Sequence, residues 1–266
     1  SGHRISNKAR LPLFIHRATH EGDIYFISNQ SGEPVEINPA FRVSGKLPEL
    51  WNPLTAEIRY LPEFACSGEV TTVPVRLEGY ESSFLIFRKK GSPKKTAARN
   101  YPHKEVLATV ASPWQVAFEK GKRGPSETVT FPELKDWTTS ADASIRYFSG
   151  KAVYTNRITL PELPQKPLYL DLGKVMVMAK VKVNGQYAGG VWTMPYRLPV
   201  GEYLVEGENL IEVEVVNNWM NRLIGDSLLP EQERGTWTNV NPWKSDSPLQ
   251  SSGLIGPVEI QAYSYE

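Results

Sequence analysis

Val175-Met-Val-Met-Ala-Lys-Val-Lys-Val-Asn-Gly-Gln-Tyr-Ala-Gly-Gly-Val-Trp192 is the stretch whose reading decides the fold. Val175, Val177, Ala179, Val181 and Val183 fall on one face of an extended strand, with Lys180 and Lys182 on the other. Asn184-Gly185 then supplies the two positive φ angles that a two-residue hairpin turn needs. A second run, Glu208-Asn-Leu-Ile-Glu-Val-Glu-Val-Val216, repeats the alternation: Ile211, Val213 and Val215 point inward, Glu212 and Glu214 outward. Strands with one apolar and one wet face belong to antiparallel sheets.

Working outward, strands are expected over 114–118, 145–148, 152–160, 168–172, 175–183, 196–198, 210–216 and 258–263. Eight antiparallel strands would fill a jelly-roll sandwich. Upstream, shorter strands are expected over 23–28, 35–43 (interrupted by Pro39), 58–60, 73–77 and 83–87. Turn chemistry at Asn29-Gln-Ser-Gly32 and Trp51-Asn-Pro-Leu-Thr55 separates them, and no helical period stands out. The expected fold is all-β: a small β-sandwich over 1–90, a linker over 91–103 and a jelly-roll domain over 104–266. The linker assignment rests on Lys89-Lys-Gly-Ser-Pro-Lys-Lys-Thr-Ala-Ala-Arg-Asn-Tyr-Pro-His103, which is basic and proline-bearing. Its rival reading is a polybasic contact for an anionic partner.

Composition narrows the function classes. Thirty Lys and Arg against 29 Asp and Glu give no electrostatic case for nucleic acid or a membrane surface. No apolar run approaches the ~20 residues that cross a bilayer, so membrane insertion is not expected. Cys66 is the single cysteine, which rules out an internal disulfide and a thiolate metal cluster; it is expected to be a small buried hydrophobe. His3, His16, His20 and His103 show no zinc spacing. No phosphate loop, dinucleotide fingerprint or nucleophile elbow is present. The start Ser-Gly-His, without Met or signal peptide, leads us to expect either a trimmed chain or a fragment of something longer.

Residues 217–257 show little alternation but many aromatic and turn residues, and a stretch of that length is expected to be functional or to cover something. Trp192, Trp219, Trp237 and Trp243 lie in or near it, with Asn217, Asn218, Asn221, Arg222, Asn239 and Asn241 close in sequence. Aromatic rings for the C–H face of pyranoses, ringed by planar polar groups, would suit a sugar. The other reading is that the indoles cap the open end of the sandwich; for Trp219, beside a strand, core is the expectation. Asn221-Arg222 and Asp226 are either part of that polar ring or an internal salt bridge that pins the segment. Glycoside hydrolysis would need two carboxyl groups about 5–10 Å apart. Asp226, Glu231 and Glu233 are the candidates, and nothing in the sequence brings them together.

Arg146-Tyr-Phe-Ser-Gly150, Tyr169-Leu-Asp-Leu-Gly173, Val183-Asn-Gly185, Asn209, Asn221-Arg-Leu-Ile-Gly-Asp226 and Ser252-Gly-Leu-Ile-Gly-Pro257 form an ordered set. It resembles the C-terminal β-sandwich region of large bacterial glycoside hydrolases, above all the α-L-rhamnosidases of glycoside hydrolase family 106. The jelly roll is also similar to the sugar-binding domain of family 2 glycosidases and to galactose-binding-like domains. Phe14-Ile-His-Arg17, Asp23-Ile-Tyr-Phe26 and Pro48-Glu-Leu-Trp-Asn-Pro53 resemble the region just upstream in the same enzymes. Those enzymes catalyse in a (β/α)₈ barrel, which needs ~250 residues of alternating strand and helix. No such alternation is visible, so no catalytic residue is carried over.

The resemblance therefore implies an ancillary region of a plant-polysaccharide-degrading bacterial glycosidase, periplasmic or extracellular. Its expected partners are carbohydrate and the catalytic barrel of a parent enzyme. Trp192, Asn221, Arg222, Asp226, Trp237 and Trp243 are the expected substrate-binding residues. A structural spacer that binds no sugar, and a glycosidase in its own right, are the alternatives. No cofactor is expected, although jelly rolls of this type often carry a structural calcium ion, which needs six or more oxygens.

Overall fold

The structure, a computed structural model, describes residues 11–94, 97–111 and 113–265. His3, Lys95 and the Ser-Gly-His start lie outside the described residues. The chain divides into two compact units, one holding the described residues of Ser1–His103 and Ser264–Glu266, the other Lys104–Tyr263.

The first unit is built on a five-stranded antiparallel sheet in the spatial order Leu13–Ala18, Asp23–Ser28, Ser82–Lys90, Lys46–Trp51, Ile58–Tyr60. Tyr25, Ile27, Leu50, Leu85 and Phe87 turn to its inner face and are buried with Phe41, Val73, Val75 and Leu77. Tyr25 packs its edge on Phe41 at 4.7 Å and on Phe87 at 6.0 Å between ring centroids, favoured offset arrangements. Val35–Ile37 pairs with Val75–Leu77, whereas Ala40–Phe41 pairs with Val70–Thr72. Pro39 thus separates strands of two different sheets rather than interrupting one strand. Cys66 is exposed, in the edge strand Ala65–Ser67, so the expectation of burial fails: the three-residue strand keeps neither face from water.

The last residues of the basic run belong with this unit. Asn100 is fully buried; its amide donates to the carbonyls of Glu63 (2.7 Å) and Pro74 (3.0 Å), and its side-chain oxygen accepts from the Glu63 N–H (2.8 Å). Lys89 and Lys90 end the strand Ser82–Lys90, and Lys89 lies 3.7 Å from Glu49.

The second unit is a β-sandwich. A six-stranded sheet runs Val129–Phe131, Trp114–Phe118, Lys151–Leu160, Gly207–Val216, Met178–Val183, Gln186–Val191. A four-stranded sheet runs His103–Thr109, Glu259–Ser264, Leu168–Asp171, Arg197–Pro199. One continuous core joins inward residues of both: Val116, Tyr154, Val181, Ile211 and Val213 from the first, Leu168, Leu170, Leu198 and Ile260 from the second. The pairing of Lys180 with Glu214 and of Lys182 with Glu212 puts opposite charges across from one another on the wet face. Asn184 and Gly185, at φ 52° and 78°, make the turn between Met178–Val183 and Gln186–Val191.

Two local expectations are corrected. The 175–183 run is not one strand: Lys174–Met176 pairs with Gly253–Gly256, Met178–Val183 pairs with Gly207–Val216, and Val177 at the break is partly exposed. Residues 145–148 are not extended. Asp142 accepts a hydrogen bond from Ser144 N–H (2.8 Å) and caps a one-turn helix, Ala143–Arg146, that delivers Ile145 and Phe148 to the core.

Candidate functional site

The 217–257 segment is not irregular throughout. It contains the helix Met220–Ser227, a 3₁₀ turn Glu231–Glu233 and the strand Gly253–Gly256. Asn221, Ile224, Gly225 and Asp226 turn to the buried side of the helix. A Cβ on Gly225 would stand 2.7 Å from the Tyr147 ring, so only glycine lets the helix lie this close. Arg146 sits 5.1 Å over the same ring.

Three buried polar side chains and the half-buried Asp136 fasten this segment to the sandwich. Asn217 donates to the Phe148 carbonyl (2.8 Å) and accepts from Gly150 N–H (2.9 Å). Asn221 donates to the Gln250 carbonyl (2.6 Å) and to Ser252 Oγ (3.1 Å), and accepts from Gln250 N–H (2.8 Å). Tyr154, sealed in the core, accepts from Trp137 Nε1 (2.5 Å) and Leu254 N–H (3.2 Å); burial raises its pKa far above the ordinary value. Asp136 accepts from Ser251 Oγ (2.5 Å), Ser252 N–H (3.0 Å) and Thr138 N–H (2.9 Å). Burial pushes the Asp136 carboxyl upward, but hydrogen bonds from Ser251, Thr138 and Ser252 outweigh it and hold the pKa below the ordinary value.

Asp226 closes the outer part of the segment. One carboxylate oxygen lies 2.7 Å from Arg222 and 3.7 Å from Arg123, an ionic contact rather than a well-aligned hydrogen bond. The other accepts from Gly235 N–H (3.0 Å) and Thr236 Oγ (2.6 Å). Arg123 also donates to the Glu233 carbonyl at 2.7 Å.

Of the six residues expected to bind substrate, three stand in that framework: Asn221 and Asp226 bond to groups of the same segment, and Arg222 faces Asp226. That is the pinning arrangement, one of the two readings the sequence left open. Trp192 and Trp237 are 63% and 86% exposed, while Trp243 is half-buried, with its backbone N–H donating to Asn241 Oδ1 at 3.0 Å. Trp219 is 58% exposed, which corrects the expectation of a core residue: it stands at the helix N-cap, on the side away from Asn221 and Ile224. Glu231 and Glu233 are exposed, and Asp226 lies within ion-pair distance of two arginines. Arg123, Asp136 and Ser251 complete the framework and belong to no motif, whereas Ser252, which joins them, opens the 252–257 run. The one local signal was Asp136 ahead of Trp137-Thr138-Thr139, a capping pattern.

Among the described residues, no group of three or more His, Cys, Asp or Glu comes together to hold a metal ion, so no carboxylate cage for calcium is formed there. No helix among them is long and apolar enough to cross a membrane.

The α-L-rhamnosidase family model matches residues 4–65. The structure of a rhamnosidase from Novosphingobium sp. PP1Y superposes with a TM-score of 0.81 and 38% identity over 98% of this chain, which spans 24% of that protein. A Formosa agariphila protein provisionally named a β-glucuronidase is 35% identical over 201 residues, 64% of this chain and 16% of its own length. The chain therefore covers a quarter or less of the length of these relatives. In sequence and in structure, it is similar to a β-rich region of glycoside hydrolases of the α-L-rhamnosidase type, family 106.

Proposed function

We propose that this chain is an ancillary, carbohydrate-binding or substrate-positioning region of a rhamnosidase-type glycoside hydrolase. The catalytic barrel would lie elsewhere in the parent protein, in the periplasm or outside the cell. In this reading the second unit is a galactose-binding-like jelly roll that presents sugar-facing indoles. One observation carries the proposal: Trp192, Trp219 and Trp237 are all more than half exposed, while the polar residues around Asp226 hold the segment that bears two of them. An indole left in water loses the stabilisation of burial, and an aromatic face ready for a pyranose ring is what would retain it.

The test is a glycan-array screen of the intact chain with rhamnose- and galactose-bearing oligosaccharides, followed by tryptophan fluorescence titration. Saturable quenching that disappears in Trp237→Ala or Trp192→Ala supports the proposal. Silence across a broad array defeats it.

A second reading, a spacer that packs on the catalytic barrel, is favoured by one feature of the first unit. On the outer face of the five-stranded sheet, Ile15, Phe26, Phe84, Trp51 and Ile58 are successive cross-strand partners, one from each strand. Ile15 and Ile58, at its two ends, are more than half exposed. An apolar row of this width on a wet face marks a contact surface. The two readings belong to different units and can hold together.

A further inference from the structure

The first unit contains a cleft of about 530 Å³, within the range of small-ligand sites. Its polar walls are Glu36, Glu63, Arg76 and Arg99, its apolar parts include Ile37 and Val75, and the tyrosines Tyr101 and Tyr265 line it as well. Arg99 Nη1 lies 2.7 Å from Glu63, and Arg76 lies 3.0 Å from Glu78 and 4.0 Å from Glu36. Each guanidinium therefore already faces a carboxylate. An anionic ligand would have to break one of the two close pairs, and a cation would compete with Arg99 for Glu63.

Paired guanidinium and carboxylate groups still offer planar donors and acceptors side by side, the pattern that adjacent hydroxyl groups satisfy. The tyrosines are fixed for the purpose. The Arg59 guanidinium stands 5.2 Å from the Tyr101 ring centroid and 5.8 Å from that of Tyr265, and it is itself anchored on the Asn100 carbonyl at 2.5 Å. Tyr265 keeps nearly half of its surface in water. The Tyr101 hydroxyl is buried against the Arg76 backbone, which holds the ring in place.

From the balanced charge and the fixed rings, we propose that the cleft is a second saccharide-binding site, selective for neutral over acidic sugars. It is formed by the first unit alone and does not involve the tryptophans of the second. Its residues are scattered from Glu36 to Tyr265, which is why no motif announces it.

The test is amide NMR on the intact chain, titrated with neutral rhamnosyl and galactosyl oligosaccharides and, in parallel, with a galacturonate oligosaccharide. The expected result is saturable shifts at Arg76, Arg99, Asn100 and Tyr101 with a neutral ligand. Arg99→Met and Tyr265→Ala should each weaken binding about tenfold, as loss of one charged hydrogen bond or ring contact would. Trp237→Ala should leave these shifts unchanged. Arg99 is largely exposed, so its variant decides the matter should Tyr265→Ala fail to fold. No shift up to about 10 mM sugar, shifts confined to residues 217–257, or tighter binding of the galacturonate probe would each overturn the proposal. Failure of the tryptophan site alone would look different: quenching insensitive to Trp237, with the cleft shifts intact.

Discussion

Arg222 and Asp226, one helical turn apart, meet at 2.7 Å with only 11% and 3% of their side chains exposed. Asp226 simultaneously receives Gly235 and Thr236, so one carboxylate joins the helix Met220–Ser227 to the chain that leads to Trp237. Asp226→Ala would strand a shielded guanidinium and free two donors. We expect a loss of about 3 kcal/mol, seen as a fall in Tm of roughly 6–12 °C. The double change Asp226→Leu with Arg222→Met should recover most of it. A single-variant loss below about 1 kcal/mol would show that the pair is screened like a surface bridge.

Tyr154 should set the alkaline limit of the second unit. Its folded pKa is raised above the ordinary 10.0 by burial. Above about pH 10 the unfolded chain therefore loses this proton while the folded one must keep it. Its contribution is complete below pH 10 and is lost as pH rises towards the folded value. In Tyr154→Phe the alkaline limb of a Tm-against-pH curve should flatten, while stability near pH 7 drops by about 1–3 kcal/mol because Trp137 Nε1 and Leu254 N–H lose their acceptor. An unchanged limb would mean that another group governs it.

Asp136 should act at the acid end. Its folded pKa is depressed below the ordinary 3.8, so its contribution is present above that value and fades as pH falls through the folded pKa. Asp136→Asn should lower Tm at pH 7 and make the difference from the parent shrink on acidification below about pH 4. A difference that stays constant with pH would argue that shape, not charge, holds Ser251 and Ser252.

The outer row on the first unit makes a separate prediction. Because Ile15 and Ile58 are exposed, Ile15→Lys with Ile58→Lys should shift stability by no more than about 0.5 kcal/mol. Binding of a hydrophobic dye should nevertheless fall clearly. If dye binding persists, the row is not the apolar surface that the dye detects, and the spacer reading loses its support.

How much of this was legible in the sequence depended on the range of the forces involved. Period-two alternation located the strands at 152–160 and 210–216, and Asn184-Gly185 located a turn, because each signal is carried by neighbouring residues. The alternation could not reveal that Val177 marks a change of partner, since pairing with Gly253–Gly256 is decided some 75 residues away. The short helix Ala143–Arg146 was missed because four residues carry no period, and its cap Asp142 was the overlooked clue. Trp219 was misplaced for a similar reason: proximity to a strand says nothing about which side of the following helix a residue takes. Asn221, Arg222 and Asp226 stand together on that helix, but only three-dimensional partners such as Arg123, Gln250 and Ser252 show that they face inward.

The place of Glu259–Ser264 in the four-stranded sheet has a consequence for the order of events during synthesis. This late segment lies between His103–Thr109 and Leu168–Asp171 and joins two regions made long before it. At ~5–20 residues per second, roughly 10 to 30 s pass between translation of the first and last strands of that sheet. For the last ~90 residues of that interval, roughly 5 to 20 s at the same rate, a nascent chain has made Leu168 and Leu170 without Ile260 to cover them. The growing second unit is then an open half-sheet with an adhesive edge, and it is during this window, more than after completion, that it needs protection from its neighbours.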